Sequence, residues 1–210
     1  MSHPSFKTYV KTLNSLLKYK GDWLQQESQD LAKLCHMYGK LLQLDENERK
    51  TLLLAAYFKN LGALYIADQL LEQEFRDHGH MVASLNIWFA ESANIARDSG
   101  LTDVEAILNQ YHRRTIPQHK LARIFQVLNT WIACQQEKGW RHPMTEREAR
   151  IILEQRARLR WSDPLIVRHF IHCCNQSCRL SDAPTADYSL PSQAIAQEPS
   201  EAIAPLEELV

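Results

Sequence analysis

Seven polar residues stand in apolar surroundings in this chain: Lys59, Asn60, His78, His80, His112, Asn129 and Arg141. Imidazoles and carboxylates brought to one point can hold a divalent ion, lower the pKa of its water and aim it at a phosphate or carbonyl. His78 and His112 fall on separate predicted helices and could converge. The stretch 51–71, however, supplies a single acid, Asp68, and the Lys59 ammonium repels a cation. By residue chemistry alone this is a buried polar cluster with too few ligands. Nucleophilic chemistry is no better supported, because Cys35 and His36 are sequence neighbours whose side chains diverge on a helix. With six glycines and no glycine-rich loop, dinucleotide and P-loop chemistry are excluded. Cys173, Cys174 and Cys178 have the look of a metal cluster. Zinc sites draw on separated pairs, though, and adjacent cysteines rarely both reach one ion; helix-face cysteines are the expectation.

The element that must position Lys59 and Asn60 is the apolar run Leu52–Phe58, long enough for a buried helix. It ends on two polar groups whose burial is costly unless they are paired. Asp45 and Glu48 have capping-box spacing and open this helix, as do Thr102 with Glu105 and Thr145 with Glu148 for two later ones. Residues 5–20 form a basic amphipathic helix with Phe6, Tyr9, Val10, Leu13, Leu16 and Leu17 on one side. Docking on the body is expected of it, with a membrane-surface role as the lesser alternative. A long helix follows from Asp22 to about Leu44. Further helices are predicted over 66–74, 79–97, from Thr102 through Tyr111, from Pro117 to about 136, 145–159 and from Pro164 on. The fold class is therefore all-α, a bundle of eight or nine helices with no convincing strand. Three regions follow: 1–21, the packed N-terminal helix; 22–180, the helical domain; and 181–210, an acidic segment with four prolines, expected to be disordered.

At 45% hydrophobic the chain can build a sizeable core, and its net charge of −1 argues against general nucleic-acid binding. The charge is uneven. After Arg179 there are six acids and no Lys or Arg, so the 24 basic residues against the other 19 acids leave residues 1–180 at +5. No stretch reaches eighteen consecutive apolar residues, so no membrane span is expected. Without a secretory leader the five cysteines imply a reducing cytoplasm.

Along residues 23–172 the chain resembles the HD-GYP branch of the HD phosphohydrolase superfamily. The family's apolar helix ending in His-Asp-x-Gly-Lys is similar in frame to Ala55-Ala56-Tyr57-Phe58-Lys59-Asn60-Leu61-Gly62-Ala63. Ile66–Leu71 stands at its Ile-Pro-x-x-Ile-Leu phrase, and Glu72 through His78 at its Glu-x5-His motif. Tyr111-His112-Arg113 stands at its paired histidines, with a shortened loop ending in Ile116-Pro117. The family's closing pattern runs without gaps over Asn129, Ala133, Cys134, Lys138, Gly139, Trp140, Arg141, Met144, Thr145, Glu148 and Ala149. It continues through Ile152-Leu153 and Asp163-Pro164-Leu165-Ile166-Val167 to Phe170.

The resemblance implies an HD-domain-like helical bundle and, in intact members, cyclic di-GMP hydrolysis by a cluster of two or three metals. Here the substitutions fall on the working residues. The vestigial positions it implies are Glu27, Lys59, Asn60, Ala63, His78, His112 and Asn129, with Tyr111 and Arg113 in place of a ligand and an acid. No catalytic residue, metal or cofactor is then expected. A Lys59 ammonium near Glu27 would replace the metal's charge; the alternative has Lys59 snorkelling to the surface. The implied function is an inactive regulatory or protein-interaction module in bacterial signalling, working through a protein partner or self-association, with the N-terminal helix as candidate surface. The alternatives are a metal-dependent cyclic di-GMP phosphodiesterase or related phosphohydrolase with a rebuilt site, or a non-hydrolysing nucleotide sensor with Arg113, Arg114 and Arg141 as phosphate contacts. Trp23, Trp88, Trp131, Trp140 and Trp161 are expected as core or loop anchors, Trp140 at the pocket rim.

Overall fold

A computed structural model describes residues 6–68, 77–137 and 142–175. Among them are eight α-helices, one 3-10 turn and no strand. The helices are α1 (Phe6–Lys20), α2 (Asp22–Leu41), α3 (Glu46–Phe58), α4 (His78–Asp98), α5 (Thr102–Leu108), α6 (Lys120–Gln135), α7 (Glu146–Arg158) and α8 (Pro164–Asn175), with the 3-10 turn at Leu61–Tyr65. None of the described helices is long and apolar enough to cross a membrane. The expected helix over 66–74 falls mostly outside the described residues. Cys178, Trp140, Arg141 and the acidic segment 181–210 lie wholly outside them.

Two of the three expected capping boxes are present. The Asp45 carboxylate accepts from Glu48 N while the Glu48 carboxylate accepts from Asp45 N, and Thr145 and Glu148 repeat the arrangement at α7. Each satisfies two backbone donors that a helix start otherwise leaves open. The third is absent. α5 begins from Leu101 with no side-chain cap and runs only seven residues, so Tyr111 lies beyond it in the following loop. A helix that short is held by packing rather than by its own hydrogen bonds, and Val104, Ile107 and Leu108 are buried accordingly.

α6 lies at the centre, with ten of its sixteen residues buried, the pattern of a helix enclosed on most sides. α2 and α3 pack together and both reach α6. Leu31, Cys35, Leu52, Ala55, Ala56, Ile124, Phe125 and Leu128 from these helices are fully buried. α7 and α8 pack on α6, and the Phe170 ring of α8 meets Tyr38 of α2 and Trp131 of α6 edge-on at 5.4 and 5.3 Å. α1 packs on α2 and α3: Leu13 and Leu17 are buried, and Tyr9 lies 6.2 Å from Phe58. Leu16 and Tyr19 are exposed, Tyr19 at 91%, and Phe6, at the open end of the packed face, meets Lys50 Nζ at 5.9 Å. Lys20 ends α1 by donating to Ile66 O and Asp68 Oδ1 at 2.9 and 2.8 Å, which ties this helix to the segment after the 3-10 turn.

Candidate functional site

The last turn of α3 and the 3-10 turn deliver Lys59 and Asn60 inward onto α2. Lys59 Nζ lies 3.0 Å from Glu27 Oε1, with side-chain exposures of 7% and 4%. Asn60 Nδ2 donates to Glu27 Oε2 and to Ser28 Oγ, both at 3.0 Å, and lies 3.3 Å from Leu24 O. Each oxygen of the Glu27 carboxylate is thus engaged by a different neighbour. Desolvating two ions costs several kcal/mol apiece, and only close pairing with additional hydrogen bonds offsets it. That geometry is met here. Snorkelling of Lys59 is overturned, because its ammonium turns into the bundle to reach the buried carboxylate.

α4 fixes the backbone of the same turn. Lys59 O accepts from Ser92 Oγ at 2.7 Å and from Trp88 Nε1 at 2.9 Å, and Ser92 Oγ in turn accepts from Gly62 N at 2.9 Å. So close an approach needs glycine at 62. A Cβ there would stand 2.0 Å from Trp88 O and 2.7 Å from Ser92 Oγ. Trp88 also leans on Trp23 of α2 at 6.1 Å. Ala63 is fully buried in a small apolar cluster with Leu24 and Ile66.

Tyr111 enters from the loop after α5, buried and in edge contact with Phe89 and Phe125. Burial first, and then the Glu27 charge, push its phenol pKa well above the ordinary value. His112 stacks on Phe89 with centroids 4.6 Å apart, and its Nδ1 donates to Leu108 O at 3.2 Å. Burial lowers its pKa, with Arg113 adding to the effect and the Leu108 hydrogen bond opposing it, so the imidazole is held toward its neutral form. Asn129 reaches the interior from α6, where its Oδ1 is buried with no hydrogen-bond partner among the described residues.

His78 does not join this group. It is exposed in the first turn of α4, whose start is capped by Asp77 accepting from His80 N. Eleven residues separate it from Phe89, the residue against His112, a rise of about 16 Å along the helix. The expected convergence of His78 and His112 therefore fails. Arg113 and Arg114 are exposed. Arg113 contributes its carbonyl to Gln126 Nε2 at 3.0 Å, and Arg114 lies over Trp161 at 4.9 Å.

Among the described residues no three His, Cys, Asp or Glu side chains gather in a way that could hold a metal ion. The metal cluster implied by the resemblance asks for carboxylates facing the ion, whereas the buried carboxylate at these positions is held by an ammonium and an amide. The residues present do not fit that cluster. Sequence reasoning missed Ser28, Ser92 and the indole N–H of Trp88. Ser92 and Trp88 have the i, i+4 spacing that puts two donors on one helix face, a signal available in the sequence but shared by many ordinary surface pairs. Comparison with family models, with curated proteins and with solved structures finds no match to this chain.

Proposed function

We propose that the chain is a catalytically inactive, HD-GYP-like module of bacterial signalling that acts through contact with another protein or with a second copy. The observation that carries this reading is the occupation of Glu27. Lys59 and Asn60 stand where the resemblance places a metal-binding His-Asp pair, and both are spent on the same buried carboxylate, that of Glu27. A fixed internal cation supplies the positive charge that such a site otherwise draws from divalent ions, so the frame keeps its packing with no water activated for phosphodiester attack. The exposed apolar side chains of α1 are the candidate contact surface of this reading.

Elemental analysis of the purified chain, together with a cyclic di-GMP hydrolysis assay with and without chelator, tests it. The expected result is sub-stoichiometric iron, manganese and zinc and no turnover. Stoichiometric metal with chelator-sensitive hydrolysis, lost in His112→Ala, overturns it in favour of a rebuilt phosphodiesterase. Equilibrium binding of cyclic di-GMP to metal-free protein without cleavage overturns it in favour of a sensor.

A further inference from the structure

Away from the Glu27–Lys59 cluster, the corner where α7 passes to α8 carries an uncompensated charge. Arg156 is 7% exposed. Its Nε donates to Ser162 Oγ at 3.2 Å, and among the described residues its two terminal nitrogens meet no acceptor and no carboxylate. Arg114 sits over the Trp161 ring at 4.9 Å, and the Arg156 guanidinium lies 5.9 Å from the same ring centre. Of the acids flanking Arg156 in sequence, Glu154 is exposed, and Asp163 faces Arg123 at 3.6 Å and caps α8 by accepting from Leu165 N. Arg113, Arg158 and Arg160 surround this corner and are exposed.

The C-terminal end of α7 offsets part of the charge. Arg156 O accepts from Trp161 N at 2.8 Å, the chain being turned by Arg160 at φ 59. A helix end supplies only about half an elementary negative charge, against two guanidiniums. Arg156 has no ion pair among the described residues, and burial lowers its pKa, with Cys134 opposing the effect and the Arg114 charge adding to it.

We propose that Arg114, Arg156 and Trp161 form a binding site for a phosphate group of a small soluble ligand. Two unpaired guanidiniums call for a dianion, and a phosphate monoester carries about −1.5 to −2 at neutral pH where a carboxylate carries one charge. The planar forks of arginine suit its oxygens, and both guanidiniums lie within cation–π range of the Trp161 indole. The proposal is independent of whether the Glu27 cluster is inactive.

The test follows the Trp161 indole ¹H–¹⁵N resonance of the full chain, assigned with Trp161→Phe, during titration with inorganic phosphate and pyrophosphate at constant ionic strength. Chloride and acetate serve as controls. The expected result is a saturable shift with both phosphates and none with the controls, weakened about tenfold or more in Arg114→Gln, the loss expected for one hydrogen bond to a charged group. Arg114 is exposed, so this variant keeps its fold. Equal shifts with chloride, or an Arg114→Gln titration that matches the parent, overturn the site. So does a response to phosphate that emerges only once the six acids from Asp182 to Glu208 are changed to amides, because the chain's own carboxylates then fill the corner.

Discussion

Replacing Lys59 by Met removes the ammonium and keeps most of the side-chain volume. Glu27 then remains buried, its Oε2 still accepting from Asn60 and its Oε1 deprived of the 3.0 Å contact with Lys59 Nζ. Losing one partner of a buried pair leaves a desolvated charge and costs about 3–5 kcal/mol. In a domain of this size each kcal/mol moves Tm by roughly 2–4 °C, so Lys59→Met is expected to lower Tm by roughly 6–20 °C. The second half of the cycle is Glu27→Met in the Lys59→Met background. Two apolar side chains facing each other leave no uncompensated charge, and replacing a whole buried pair is often neutral. The double variant should therefore regain about 2 kcal/mol or more over Lys59→Met alone. Urea denaturation at fixed pH, with midpoints and slopes compared across the four chains, measures each arm. If Lys59→Met stays within about 0.5 kcal/mol of the parent, or if the two single losses simply add, the ion pair does not hold the site together.

Gly62→Ala drives a methyl against Trp88 O and Ser92 Oγ. The cost is expected at about 1–3 kcal/mol or more, since the obstacle is backbone rather than a flexible side chain, and an unchanged urea midpoint would contradict the clamp drawn between α3 and α4. Thr145→Ala removes the α7 cap and should cost about 1 kcal/mol, with faster amide exchange confined to the first turn of that helix; uniform acceleration along the chain would count against a local role. His112 titrates below its ordinary 6.5 in the folded chain because burial disfavours its charge. The unfolded state then binds the proton first, so the stability His112 contributes is complete above about pH 6.5 and is lost as pH falls toward the depressed folded value. His112→Gln should flatten the fall in stability below pH 6.5, and a slope identical to the parent's would place the acid sensitivity elsewhere, with half-buried His169 next in line.

Much of this fold could be read from periodicity and caps. The apolar faces of α1 and α2, the Asp45 and Thr145 starts and the Pro164 start are local signals that tertiary packing had no reason to override. Thr102 with Glu105 carries the same spacing but fails, because the chain from Ser99 to Leu101 is folded back by bonds of Ser99 N, Gly100 N and Leu101 N to the end of α4. Within the site, Glu27 as a partner for Lys59 came from the resemblance, not from charge or periodicity. The choice between that pairing and a surface-seeking ammonium was not legible, since it depends on how α2 and α3 dock. His78 misled because a motif's spacing along the chain says nothing about which end of a helix meets the pocket. Ser28, Ser92 and Trp88 were hidden because their partners are backbone carbonyls or an amide on other helices, visible only after folding.

The Glu27–Lys59 contact also constrains how this sequence can drift. Its two members sit on different helices, and Asn60 leans on the same carboxylate, so any one of the three exchanged by itself strands the others in a dry interior. Exchanging the pair for a set of cation ligands would need several coordinated replacements, since each single exchange leaves a buried charge or amide without its partner. Such a lock-in makes the present arrangement self-perpetuating, whatever selection acts on the outer surface.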